Sequence, residues 1–200
     1  MNEADSTAAG SPALWSIGHS THPIEVFLEL LRGHSIESVA DVRTTPFSRF
    51  NPQFNRHALE RDLRASGIRY LFLGEELDGR PDADRFYDHG GHVLYGRMAK
   101  SRRFESGLNR LVERAEHSRV AVLCSEENPA GCHRFLLVPR VLHDRGIEAA
   151  HIRGDGSTQR TEDVDTFQDW SDPVYEEVSP LDGSVSSSWR STRPISRGQA

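Results

Sequence analysis

Val120-Ala121-Val122-Leu123 leads into Cys124-Ser125-Glu126-Glu127-Asn128-Pro129-Ala130-Gly131-Cys132-His133-Arg134, and Phe135-Leu136-Leu137-Val138 follows. An apolar run, a polar loop and a second apolar stretch opening on His-Arg read as strand, loop and helix. The chain has two cysteines, and both stand in this stretch. In open α/β sheets, ligands occupy the crevice beyond the carboxyl ends of the strands. The loop would place two thiols, two carboxylates, an imidazole and a guanidinium there.

The same alternation extends in both directions. Leu14-Trp15-Ser16-Ile17 reads as a strand, and Ile24, Phe27, Leu28 and Leu31 then fall at helical spacing behind Pro23. Val39-Ala40-Asp41-Val42 is a second strand, and residues 56–66 a helix that Gly67 stops. Tyr70-Leu71-Phe72-Leu73 is a third strand, followed by a long acidic loop from Gly74 to about Gly91. Residues 104–117 form a helix before the Val120 strand. The Cys132 helix, which Pro139 should kink or end early, runs toward Asp144. Ala149-Ala150-His151-Ile152 is the last strand expected. This predicts an α/β fold of three layers: a mostly parallel, Rossmann-like sheet with helices on both faces.

Two hundred residues suit one domain, placed at 13–170. Residues 1–12 are small and polar and are expected to be disordered. Thirteen of the thirty residues at 171–200 are Ser, Pro or Gly, so this tail is also expected to lack order. Trp189 within it reads as exposed or as a small docking element. The net charge of -6 disfavours nucleic acid as the main partner. No apolar run reaches transmembrane length, and the N-terminus lacks a secretory pattern. A disulfide framework is not indicated, so the thiols are expected to be reduced in a cytoplasm.

A parallel sheet would gather four polar strand ends on one rim: Gly18-His19-Ser20, Asp41-Val42-Arg43 with Ser48, Gly74-Glu75-Glu76, and Cys124-Ser125-Glu126. Each has a structural reading beside a functional one. Ser20 or Thr21 suits a helix cap, whereas His19 suits acid–base work or metal binding. Asp41 and Arg43 share a strand face, as a structural ion pair or as an anion clamp that Asp41 orients. The aromatic, proline-containing segment 44–54 reads as a lid or specificity loop. Cys124 could be an inert buried thiol. Cys132, at a predicted helix start beside His133 and Arg134, is the stronger candidate for a lowered pKa. Arg134 would bind an anion at that helix end, and Glu126 or Glu127 would serve as general base.

Known signatures narrow the chemistry. A phosphatase-type cradle needs five residues between Cys and Arg, and nine separate Cys124 from Arg134. Zinc ligand pairs are usually two to four residues apart, and seven separate Cys124 from Cys132. Cys124, Cys132, His133 and His19 could still converge on a metal in space. A glycine-rich phosphate loop is absent, and no motif requires a cofactor.

Ile17-Gly18-His19-Ser20, Asp41-Val42-Arg43 with Pro46 and Ser48, Leu73-Gly74, Leu123-Cys124-Ser125-Glu126 and Cys132-His133-Arg134 stand in the order of a known family. Over about Leu14 to Arg153 the chain resembles the domain-of-unknown-function 488 family, whose most specific element is the Cys-x-Glu…Cys-His-Arg stretch. The resemblance implies a three-layer α/β protein of bacteria and archaea and brings no settled activity. Ser125 stands where relatives often have Ala, and Gly74-Glu75-Glu76 departs from the usual Gly-Gly.

The expected function is an enzyme, a hydrolase or group transferase acting on an anionic small molecule such as a nucleotide or nucleoside derivative. Catalysis would rest on Cys132, Glu126, His19, Cys124 and His133, and substrate binding on Arg43, Asp41, Ser20, Ser48 and Arg134. The alternatives are a non-catalytic ligand-, metal- or nucleic-acid-binding module and a cysteine redox protein. The last requires Cα atoms within about 7 Å.

Overall fold

The structure is a computed structural model, and it describes residues 14–171 and 174–195. The expectation for residues 1–12 lies outside them.

Five parallel strands build the centre of the fold: β1 (Leu14–Gly18), β2 (Ser38–Asp41), β3 (Arg69–Phe72), β4 (Val120–Cys124) and β5 (Ala149–Ile152). A short sixth strand, β6 (Thr158–Arg160), pairs antiparallel with β5. The order across the sheet is β3-β2-β4-β1-β5-β6. β4 therefore lies between β2 and β1, in register Asp41–Leu123 on one side and Gly18–Cys124 on the other. All five parallel strands end on one rim, as the alternation predicted.

Side-chain alternation divides the core into two layers. Trp15, Ile17, Val39, Ala121, Leu123 and Ile152 face α1 (Ile24–Gly33) and α2 (Arg56–Ala65). Leu14, Ala40, Val120, Val122 and Ala149 face the other layer. That layer comprises α3 (Tyr95–Ala99), α4 (Arg102–Ala115), α5 (His133–Leu136) and α6 (Val138–His143). Burial on both faces explains why β1, β2, β4 and β5 are largely apolar, whereas β3, at the sheet edge, is only partly buried. The single helix expected from Cys132 to Asp144 is two short ones. Pro139, which lacks an N–H, falls in the first turn of α6, where none is needed.

The alternation also buries polar groups on the α3–α6 side. Arg134 NH1 donates to Ser16 Oγ (2.6 Å), and Ser16 Oγ lies 2.6 Å from His151 Nδ1. With Arg134 occupying an acceptor position, the Ser16 hydroxyl donates to Nδ1. The proton of His151 then sits on Nε2, facing Thr161 Oγ1, which donates to the Ala149 carbonyl. His151 is held down to about 3 by burial first and by Arg134 and Arg153 second. Below the unfolded value of about 6.5, the unfolded chain takes up a proton that folded His151 refuses. Stability is therefore fully present above about pH 6.5 and falls toward pH 3, by up to about 1.4 kcal/mol per pH unit for this group. His19, lowered to about 4, adds the same sign. Thermal melts from pH 7 to 5 should show a falling Tm in the wild type and a flatter profile in His151→Asn. Parallel profiles would remove His151 as the cause.

The tail expected to lack order holds a two-stranded hairpin, β7 (Glu176–Val178) with β8 (Val185–Ser187), across residues 174–195. Trp189 supplies the docking element. Its Nε1 donates to the Leu136 carbonyl (2.7 Å), and the Arg140 guanidinium lies 4.6 Å from its ring centroid. Arg190 pairs with the buried Asp88 of the acidic loop. These polar anchors act beside apolar packing of Trp189 and Ile195 against the α3–α6 core layer. Among the described residues, no helix is long and apolar enough to cross a membrane.

Candidate active site

The rim carries two groups of side chains, one from each face of the sheet. The first lies on the α1–α2 side. Arg43 donates from Nε to Asp41 Oδ1 (2.8 Å) and from NH2 to Oδ2 (2.6 Å), and its backbone N–H reaches Oδ1 as well. Tyr70 donates to Asp41 Oδ2 (2.7 Å). Burial and the adjacent carboxylate raise the Tyr70 phenol, so it remains a donor. The ion pair expected of Asp41 and Arg43 is present. It leaves one terminal guanidinium nitrogen outside the fork, so the structural pair and the anion clamp are compatible. His19 is stacked on Phe54, 4.3 Å between ring centroids, and donates from Nδ1 to the Ser20 carbonyl (2.8 Å). Burial and, next, Arg43 bring it down to about 4. It is neutral at pH 7, with an unprotonated Nε2.

The second group lies on the α3–α6 side. Cys124 ends β4, Cys132 precedes α5, and His133 opens α5. His133 Nδ1 is 3.8 Å from both sulfurs, and the three ligating atoms lie within 4.8 Å of one another. His133 Nε2 lies 3.1 Å from the Val42 carbonyl, so Nε2 carries a proton and the ring bridges from β4 to β2. The Gly79 backbone packs on this ring, since a Cβ there would fall 2.6 Å from Nδ1.

Cys124 and Cys132 are coupled through one hydrogen bond, and burial and His133 act on them differently. A hydrogen bond from Cys132, opposed by burial and supported by His133, holds Cys124 well below the ordinary thiol range. Burial and the adjoining Cys124 raise Cys132. α5 has only four residues, so a helix dipole adds little at Cys132. Burial, the largest single cause, would lower His133, but Cys124, the Val42 carbonyl and Asp78 together outweigh it and the imidazole is raised.

Arg134 also differs from expectation. It is fully buried, and its NH2 donates to the carbonyls of Glu126 (3.0 Å) and Glu127 (2.5 Å). It staples the loop between the cysteines instead of facing a ligand. Gly18 meets the same loop so closely that a Cβ would fall 1.7 Å from the Glu126 carbonyl oxygen. Glu127 forms a two-bond pair with Arg153 and accepts from the Gly154 N–H, which keeps its carboxyl below the usual range. Glu126 remains as the exposed carboxylate of the loop. Ser48 Oγ accepts from the Phe50 and Asn51 N–H groups and shapes segment 44–54. Ser20 donates its N–H to the Ser125 carbonyl at a positive φ of 46°. His19 stands outside the thiol cluster, so the four-ligand metal set reduces to three. Tyr70, Gly79 and Ser16 escaped the sequence reading. Ser16, a polar residue within an apolar strand, was the one visible signal.

A doubly wound α/β protein with a thiol–imidazole cluster and an arginine–carboxylate fork on one rim is the class that fold and site define. The chain belongs to the family described as Domain of unknown function DUF488, which matches residues 23–141. That match includes Asp41, Arg43, Cys124, Cys132 and His133 and begins just after His19. No curated protein and no solved structure matches the chain.

Proposed function

We propose that the protein is a hydrolase or group transferase acting on an anionic small molecule, such as a nucleotide or nucleoside derivative, at the carboxyl edge of the sheet. One juxtaposition carries this reading. The Cys124–Cys132–His133 cluster ends β4 and the Arg43–Asp41 fork ends the neighbouring β2, and the His133–Val42 hydrogen bond ties the two together. Arg43, oriented by Asp41 and Tyr70, binds the anionic group. The cluster is the reacting centre. Neutral His19 accepts a proton through Nε2, and exposed Glu126 is the general base. Phe47 and Phe50, exposed on segment 44–54, offer flat surfaces beside the rim for a planar substrate group. The net charge of -6 keeps nucleic acid a weaker choice of partner. Two free thiols suit a reducing bacterial or archaeal cytoplasm.

A second reading, thiol redox work, is favoured by the separation of the two sulfurs, which is within 4.8 Å. Thiol titration after mild peroxide treatment tests it, and two unchanged thiols would end it.

The anion clamp is tested by thermal shift with nucleoside monophosphates and inorganic phosphate as probes. The wild type should gain several degrees with at least one phosphorylated probe, and Arg43→Met should lose that gain. An equal gain in Arg43→Met would place the anion elsewhere.

A further inference from the structure

A thiol–imidazole nucleophile uses one thiol per imidazole, whereas a metal site gathers several donors around one point. Here both sulfurs lie 3.8 Å from the same Nδ1. The other ring nitrogen is held by the Val42 carbonyl, a support that metal-bound histidines repeatedly show. In the neutral ring this tautomer turns the Nδ1 lone pair toward both sulfurs. The residues of all three ligating atoms sit at the end of a central strand or the start of a helix, positions that hold geometry better than loops. Both thiols are free, and both residues are more than nine-tenths buried.

We propose that Cys124, Cys132 and His133 form a three-ligand site for a thiophilic divalent ion, zinc foremost, with a fourth position for water or a substrate oxygen. Zinc bonds of about 2.3 Å to sulfur and about 2.0 Å to nitrogen give tetrahedral S···N edges of about 3.6 Å and S···S edges of about 3.8 Å. The cluster, at 3.8 Å for both S···N separations and within 4.8 Å overall, needs a few tenths of an ångström of contraction on the S···N edges and at most about 1 Å on the S···S edge. Two thiolates and an imidazole select zinc over magnesium or calcium, which prefer oxygen. Binding would release the protons that the metal-free cluster shares. The site rests on the enzyme reading only for what the ion would do, since ion binding can be measured without a substrate.

The test uses the full chain, incubated with Zn2+ alone, desalted and analysed for metal. One zinc per chain is expected, with affinity falling by at least about 100-fold in Cys124→Ala and in Cys132→Ala by competition with a chromogenic chelator. Gly79→Ala should weaken binding with both sulfurs intact, because the added Cβ displaces the His133 ring. Co2+ loading of the wild type, with its sulfur-to-cobalt charge-transfer band, decides the matter if the cysteine variants fail to fold. A wild type that keeps no zinc and shows no cobalt band overturns the site, as does equal zinc affinity in the double cysteine variant. Turnover by zinc-free protein overturns the fourth-position role of the ion and keeps the enzyme reading. A zinc-loaded protein that turns over no anionic substrate keeps the ion and removes the enzyme reading.

Discussion

Arg134→Met is expected to lower the unfolding free energy by about 3–5 kcal/mol, although methionine nearly fills the vacated volume. The guanidinium is fully buried and donates to Ser16 Oγ and to the Glu126 and Glu127 carbonyls. Removing it leaves these acceptors without their charged donor inside the protein. A lost hydrogen bond to a charged group costs about 1.5–3 kcal/mol, and an orphaned buried carbonyl adds its desolvation. Replacing an entire buried ionic set by apolar groups can be neutral, but here only one member is removed. Arg134→Lys should not restore stability, because one ammonium cannot span the fork from Ser16 to two carbonyls. Equilibrium urea unfolding checks both variants. A loss below about 1 kcal/mol for Arg134→Met would mean that the loop is held by other contacts.

On the proposed enzyme reading, Cys124→Ala should reduce turnover by about 10³-fold or more while costing about 1 kcal/mol of stability relative to metal-free wild type. The Cys132 thiol and the His133 ring hold the Cys124 thiol below the ordinary range, and its sulfur lies 3.8 Å from His133 Nδ1. Cys132→Ala should reduce turnover less than Cys124→Ala if the thiolate acts alone, and equally if both sulfurs hold one ion. Steady-state kinetics beside thermal melts separates these outcomes from simple misfolding. Unchanged turnover in Cys124→Ala would remove the cluster from the chemistry.

The layers and the shared rim were legible because each central strand is buried on both faces and reads as an apolar run between turn signals. Strand order was not legible, since β4 inserts between β1 and β2 through contacts distant in sequence. The edge strand β6 was missed because Thr158-Gln159-Arg160 has no apolar face to betray it. At the site, Asp41 and Arg43 were paired correctly from their spacing. Burial and mutual hydrogen bonding act on Cys124 and Cys132, and neither is visible in their spacing. Arg134 misled for a related reason. Its type suggests an exposed anion binder, and only the packed loop shows that backbone carbonyls occupy it. Trp189 and Arg190 anchor a segment whose composition alone argued against order.

The most direct test of the rim as the functional site is a crystal structure with the phosphorylated probe that most raises the Tm. The anionic group is expected on Arg43, with another part of the probe reaching the Cys124–Cys132–His133 cluster. A probe bound on the opposite edge of the sheet, or one contacting neither Arg43 nor the cluster, would contradict it.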